Sequence, residues 1–72
     1  MNPIDFALRG ETITLDALLK ATGLAGSGGE AKQHIGAGHV QVNGEPELRR
    51  GRKLRAGDRV LFAGCSVLIR AA

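Results

Sequence analysis

The spacing of apolar residues changes near residue 40, and this change restricts the fold more than any other feature of the sequence. Leu15, Leu18 and Leu19 recur at i, i+3 and i+4, which is the stripe of an amphipathic helix. From Val40 onward, apolar residues alternate or form short strand-length runs, as in residues 60–69. Helical segments followed by strands are typical of a two-layer α+β domain. We therefore predict an α+β fold: two short packed helices followed by a small antiparallel sheet of hairpins.

Capping residues predict the ends of the two helices. Thr14 is a good N-cap for the first helix, and Gly23 ends that helix. Ser27 and Glu30 have the S-x-x-E spacing of a capping box. In this motif the serine hydroxyl accepts from the amide of residue 30, and the glutamate carboxylate accepts from the amide of residue 27. The second helix should then stop near residues 36–38.

Turn residues divide the rest of the chain into short strands. Residues 4–8 alternate loosely and form a candidate strand. Asn43-Gly44 is the strongest hairpin signal, because a type I′ turn needs positive φ at both central residues. Pro46 makes the returning limb irregular or places it at a sheet edge. A further turn is expected at residues 56–58, and a hairpin at Gly64-Cys65 should join the last two strands.

The size and composition of the chain limit its class. Its 72 residues suffice for one domain, which we assign to residues 1–72. A core this small argues against a strained, desolvated catalytic site. Cys65, the single cysteine, cannot form an internal disulfide, which favours a reducing compartment. Asp5 interrupts the N-terminal apolar residues, so we expect no signal peptide, and no apolar run approaches the about 18 residues of a membrane span. We predict a cytoplasmic protein.

Positive charge is concentrated in the last third of the chain. The net charge is +3, but residues 1–48 carry three basic and six acidic side chains, whereas residues 49–72 carry seven basic and one acidic. Arginine's planar fork suits phosphate oxygens, so this density favours a face that attracts polyanions. A solvated basic loop kept for solubility explains the same charges. Six of these seven positive side chains fall within eleven consecutive residues: Arg49, Arg50, Arg52, Lys53, Arg55 and Arg59.

Two glycines at the start of the second helix need an explanation, because glycine in a helix costs about 1 kcal/mol relative to alanine. On a helical wheel Gly28, Lys32 and Gly36 form one row, with Gly29 beside it. A phosphate backbone could approach this shallow trough closely, near the positive first-turn amides and the lysine ammonium. Alternatively, the glycines let the two helices cross closely or shape the preceding loop.

Several short motifs, taken in order, resemble a known family. They are LDALLKATGL, SGGEAK, HIGAGHVQVNG, RRGRKL and RAGDRV. The set resembles the small RNA-binding domain named after protein S-four of the small ribosomal subunit. It is most similar to the short stand-alone bacterial members that carry SGG-x-AK and RRGRKL, and it covers about residues 13–60. The resemblance implies an alpha-L motif, in which two helices and a following hairpin form a basic RNA-binding surface.

The resemblance also implies which residues contact RNA. Lys20 falls where the first helix often ends in a basic residue, and Lys32 falls where the second carries a basic or polar contact residue. Ser27-Gly28 falls where many members have Ser-Arg, so one phosphate ligand common in the family is replaced by glycine here. Residues 40–44 match the hairpin, and the basic segment follows it. The predicted RNA-contact residues are Lys20, Ser27, Gly28, Gly29, Lys32, Arg49, Arg50, Arg52, Lys53 and Arg55.

The remaining residue types argue against base stacking, metal binding and catalysis. Phe6 and Phe62 lie in apolar strand patterns, so we expect recognition of structured RNA, ribosomal or tRNA-like, through phosphates and shape. His34, His39 and Cys65 are too few and too widely spaced for a metal site, and the sequence places no base beside the cysteine. We predict a non-catalytic monomer that needs no cofactor, metal or small-molecule substrate. The alternative is a protein-interaction module, on the ribosome or elsewhere, whose basic face docks an acidic partner.

Overall fold

The computed structural model describes residues 3–71 and contains two helices and seven strands within them. The predicted α+β class, with two short helices packed together, is confirmed. No helix in this part of the chain has the length and apolar character needed to cross a membrane. In chain order the elements are β1 (Ile4–Leu8), β2 (Ile13–Thr14), α1 (Leu15–Ala21), α2 (Gly28–Gly36), β3 (Val40–Val42), β4 (Glu45–Pro46), β5 (Lys53–Leu54), β6 (Arg59–Phe62) and β7 (Cys65–Ala71).

Strands from both ends of the chain share one sheet. Its five strands lie in the order β1-β7-β6-β3-β4. β1 runs parallel to β7, with Ile4 opposite Val67 and Leu8 opposite Ala71, whereas the other neighbours are antiparallel. The sheet is therefore mixed, and β1 extends the predicted antiparallel hairpins by a parallel strand. Local alternation does not reveal this pairing, because it joins segments at opposite ends of the sequence.

A second, two-stranded sheet holds the basic segment against the first helix. β2 and β5 pair antiparallel, with Ile13 opposite Leu54 and Thr14 opposite Lys53. Leu54 is fully buried, so a single apolar side chain anchors a segment that is otherwise polar. Because β2 leads directly into α1, this pairing brings the basic segment to the start of that helix.

The N-terminus of α1 is satisfied by backbone carbonyls of the basic segment. Thr14 occupies the predicted N-cap position in an extended conformation, but its side chain makes no capping hydrogen bond within the described residues. Instead the Leu15 amide donates to the Arg52 carbonyl at 2.9 Å, and the Asp16 amide donates to the Arg50 carbonyl at 3.1 Å. Two amides that a helix leaves unpaired at its start thus find partners distant in sequence.

The start of α2 agrees with the predicted cap in one of its two bonds. The Ser27 hydroxyl accepts from the Glu30 amide at 3.1 Å, as predicted. The reciprocal bond from the glutamate to the Ser27 amide is absent from the hydrogen bonds of residues 3–71. The Glu30 carboxylate lies instead 3.9 Å from Nε2 of His34, one turn further along the helix. The helix ends at Gly36, within the predicted range.

The core lies between one face of the five-stranded sheet and the inner stripes of the two helices. Phe62 is buried and Phe6 packs against the cluster from its edge, so both rings lie at the core, as predicted. The helices contribute Leu15, Leu18, Leu19, Ala31 and Ile35, and the strands contribute Leu8, Val40, Val42, Leu54, Val60, Phe62, Val67 and Ile69.

Two tight turns with positive φ close the hairpins of the sheet. Asn43 (φ 52°) and Gly44 (φ 87°) join β3 to β4, as a type I′ turn requires, and Pro46 lies in the edge strand as predicted. The turn between β6 and β7 is formed by Ala63 (φ 53°) and Gly64 (φ 78°). Cys65 is therefore the first residue of β7, opposite Phe62, and the prediction that it lies at the hairpin tip was wrong by one residue.

Candidate nucleic-acid interface

Residues 47–55, here called the arginine loop, connect the edge strand β4 to the buried anchor in β5. The loop begins where the Glu47 amide donates to the Val40 carbonyl at 3.0 Å. Its centre is held by the two carbonyls that accept from the amides of α1, and its next-to-last residue, Leu54, lies in the core. The loop is therefore attached to the fold at three points, although most of its side chains are exposed.

Glu47 is a buried carboxylate inside the arginine loop, and sequence reasoning did not select it. The residue is only 7% exposed. Its Oε2 accepts from the Arg49 amide at 3.1 Å and from Arg49 Nε at 3.2 Å, while its Oε1 accepts from Arg52 Nη1 at 2.8 Å and from Arg49 Nη2 at 3.4 Å. These hydrogen bonds lower the pKa of Glu47 to about 2, the contribution of the Arg49 side chain being the largest. The carboxylate is accordingly ionised at neutral pH.

The basic side chains of the loop fall into two groups. Arg49 and Arg52 form ion pairs with Glu47, and the carboxylate raises the pKa of Arg49 above its ordinary value. Arg50, Lys53 and Arg55 are exposed and form no ion pair with any group in residues 3–71. A cluster of like charges repels itself unless an anion neutralises it, and for two of the arginines that anion belongs to the chain. The other three form no such pair, although Arg55 interacts electrostatically with the Asp58 carboxylate.

A second polar network fixes the end of the arginine loop to the β3–β4 turn. Asp58 accepts from the Arg55 amide at 2.9 Å and from Nδ2 of Asn43 at 3.1 Å. The oxygen of the same asparagine accepts from the Arg59 amide at 2.9 Å. Burial alone would raise the pKa of Asp58, but these two hydrogen bonds and the nearby positive charges lower it. The asparagine therefore shapes the hairpin turn and also connects it to the next strand.

The glycine row of α2 is an open surface. Apart from its chain neighbours and the backbone of its own helix, a Cβ at Gly28 or Gly36 would meet no atom of the described residues within 4 Å, and one at Gly29 would meet only the Ser27 hydroxyl at 3.9 Å. Close crossing of the two helices therefore does not explain these glycines. Lys32 lies between them and is exposed, with no ion-pair partner in residues 3–71.

The predicted contact residues lie on both helices and on the loop beside them. Lys20 is exposed near the end of α1, about 6 Å along the helix axis from Asp16, whose amide contacts the loop. α2 packs against α1, so the glycine row belongs to the same helical layer. That Lys32 and the glycine row face the same side as the arginine loop stays a prediction.

One surface groove is lined by residues other than the predicted contact residues. Gln41, Leu61 and Ser66 are cross-strand neighbours that line it with Arg59, and its volume is about 560 Å³. None of the predicted contact residues lines this groove.

The two histidines form a small cluster with a core phenylalanine. The His34 ring packs against Phe62 with centroids 4.9 Å apart, and its Nδ1 lies 3.4 Å from Nδ1 of His39. His34 is accordingly half-buried at the edge of the core. No group of three or more histidine, cysteine or acidic side chains in residues 3–71 is arranged to hold a metal ion.

Comparison with known proteins gives one consistent family. Residues 6–70 match the S4 domain. The chain is 46% identical over 63 residues to the probable ribosome maturation protein RlbA of Bacillus subtilis, covering 88% of this chain and 86% of that protein. It is 44% identical over 57 residues to the putative RNA-binding protein YbcJ of Escherichia coli, covering 79% of this chain and 81% of that protein.

A solved structure agrees with these sequence relatives. The solution structure of YbcJ from E. coli superposes with a TM-score of 0.75 at 40% identity, covering 99% of this chain and 91% of that one. It is described as revealing an alpha-L motif involved in RNA binding.

Proposed function

The chain belongs to the S4 domain family, and we propose that it is a non-catalytic module that binds the phosphates of structured RNA. The observation that carries this proposal is the arginine loop. Arg50, Lys53 and Arg55 are exposed and without ion pairs in residues 3–71, on a backbone held at the start of α1. Exposed guanidinium and ammonium groups without an ion pair, on a fixed segment, suit an extended polyanion.

The helical layer contributes the second part of the proposed surface. Lys20 and Lys32 add two exposed charges, and the bare row at Gly28 and Gly29 lets a phosphate approach the first-turn amides of α2. Ser27, which caps that helix, belongs to the same turn. In this proposal close approach takes the place of the arginine that many family members carry at Gly28.

Recognition through phosphates and shape, and not through base stacking, is part of the proposal. Phe62 is buried and Phe6 packs at the edge of the core, and the sequence contains no tryptophan or tyrosine. The domain therefore has little to offer unstacked bases, which proteins usually hold on exposed aromatic rings. A folded RNA presents a fixed arrangement of phosphates that a rigid basic surface can match.

Ribosomal or tRNA-like RNA is the ligand we propose, with the protein acting as a cytoplasmic monomer. One relative is named for ribosome maturation and another for RNA binding, and both align with most of this chain. The proposal needs no metal, cofactor or small-molecule substrate.

A charge reversal tests the proposal on naked RNA. Arg50→Glu should weaken binding to a labelled ribosomal RNA hairpin by about 10-fold or more near ~100 mM salt, because a phosphate ligand is replaced by a repulsive charge. Arg9→Glu is the matched control, since Arg9 is an exposed arginine that is not among the predicted contact residues. Fluorescence anisotropy gives both affinities.

The same experiment decides between RNA and an acidic protein partner. Because the probe contains no protein, binding that Arg50→Glu weakens to this extent and Arg9→Glu leaves unchanged supports RNA as the ligand. Equal effects of the two variants, or no binding by the wild type, would contradict the proposal and favour the protein-interaction alternative.

A further inference from the structure

We infer that Glu47 is a positioning residue for RNA binding: its buried carboxylate orders the arginine loop, so that removing this negative charge weakens binding to a polyanion. The inference rests on the proposed function and assigns a role to an acidic residue within its basic surface. Glu47 itself is nearly inaccessible and does not contact the ligand.

The side-chain hydrogen bonds of the loop converge on Glu47. Both carboxylate oxygens accept hydrogen bonds from two arginines, one on each side of Arg50 in the sequence. A buried carboxylate is stable only when its charge is paired and its lone pairs are satisfied, so the two arginines cannot leave it without cost. The contacts therefore exist before any ligand arrives.

The two arginines that Glu47 holds differ in what they expose. The Arg49 side chain is 77% exposed and uses Nε and Nη2 toward the carboxylate. A guanidinium has five N–H donors, so the Nη1 edge of Arg49 stays available for a phosphate in a fixed orientation. The Arg52 side chain is only 34% exposed and contacts Glu47 through Nη1, which suits a structural clamp better than a ligand contact.

The clamp extends to the backbone that carries Arg50. The carbonyls of Arg50 and Arg52 accept from the first amides of α1, so a displaced Arg52 would release the capping contact as well. A loop that is already held in one arrangement loses less conformational entropy when it binds a ligand than a loose loop would. Glu47 in this way holds Arg49, Arg50 and Arg52 in a fixed position at the start of α1.

Electrostatics alone predicts the opposite effect of removing Glu47. Glu47→Gln changes the net charge from +3 to +4, which by itself strengthens attraction to RNA. Positioning predicts weaker binding from the same substitution. The two explanations therefore differ in the sign of the change.

The experiment compares Glu47→Gln with Glu45→Gln, using the labelled ribosomal RNA hairpin. Glu45 is exposed in β4 and makes no side-chain hydrogen bond or ion pair in the described part of the chain, so its replacement makes the same charge change without touching the loop. We expect Glu47→Gln to weaken binding by about 3- to 10-fold, the size of a lost preorganising contact. Glu45→Gln should bind as tightly as the wild type or up to about 3-fold tighter.

A measurement on the wild type covers the case in which Glu47→Gln fails to fold. The Nε–H signal of Arg49 in an NMR spectrum of the free protein should already exchange slowly with water, and it should remain so when RNA is added. A rapidly exchanging signal in the free protein would overturn the inference, as would a Glu47→Gln variant that folds and binds at least as tightly as Glu45→Gln. If the wild type does not bind the hairpin, the proposed function fails and the inference fails with it. If the wild type binds but Glu47→Gln strengthens binding, the inference alone fails.

Discussion

Neighbouring arginines in one short segment have different surroundings at the scale of the residue. Arg52 is half-buried against Glu47, Arg49 is clamped yet exposed, and Arg50 is exposed without a partner in residues 3–71. A sequence presents all three as one basic cluster. The local arrangement decides which guanidinium is structural and which is available to a ligand.

Gly28 and Gly29 provide the prediction at this scale. Replacing either with alanine should raise the free energy of unfolding by about 0.5–1 kcal/mol, because a Cβ meets open space at Gly28 and only a distant hydroxyl at Gly29. The same methyl group should weaken RNA binding if phosphate approaches the helix closely. Thermal unfolding and anisotropy on the two variants measure both effects.

The two readouts separate a functional glycine from an incidental one. A more stable variant with weaker RNA binding supports the close-approach explanation. Stabilised variants that bind RNA as well as the wild type, or better, would show that the glycines serve no contact.

At the scale of the element, the unpaired amides at the starts of the two helices find hydrogen-bond partners of different kinds. α2 is capped locally by the Ser27 side chain, whereas α1 is capped by loop carbonyls that arrive from residues 50 and 52. A local cap is readable from sequence because it involves residues three apart. A cap made by a distant backbone has no signature at the helix itself.

This difference predicts unequal effects of two similar substitutions. Ser27→Ala should lower the free energy of unfolding by about 1 kcal/mol, the usual loss when an N-cap hydroxyl is removed. Thr14→Ala is the matched control and should change stability by less, because the Thr14 side chain makes no capping bond within residues 3–71. Urea denaturation of both variants provides the comparison, and equal losses would mean that the local cap has no special role.

At the scale of the whole molecule, the charge of the chain is divided between its two halves. Residues 1–48 sum to −3 and residues 49–72 to +6, and the fold attaches the positive segment to the helical layer through β2 and α1. Within residues 49–72, Arg49 and Arg52 are already paired with Glu47, and Arg70 is paired with Asp5. The charge available to a ligand is therefore smaller than the sequence count.

Salt dependence tests that reduced count. If about four basic groups each meet one phosphate, the logarithm of the affinity should fall with the logarithm of salt concentration at a slope of roughly −3 to −4. Anisotropy titrations over a range of salt concentrations measure the slope. A flat dependence would exclude phosphate binding, and a much steeper one would mean that the paired arginines also take part.

The candidate site could be predicted only in part. The basic segment, the open glycine row and Lys32 were selected from charge density, helical spacing and family resemblance. Glu47 was missed, although an acidic residue next to a dense run of arginines is a signal that a neutralising partner is near. Its importance depends on burial, and burial follows from the path of the chain around it.

The sequence by itself determined the parts of this protein that depend on near neighbours. The helix stripes, the Ser27 cap, the Asn43-Gly44 turn and the edge position of Pro46 all follow from side chains and dihedral preferences within a few residues. The tertiary structure alone decided that β1 lies parallel to β7, that loop carbonyls cap α1, and that a buried carboxylate holds two arginines. Contacts between distant segments depend on how the whole chain packs around its core, and the spacing of residues within a segment does not predict that packing.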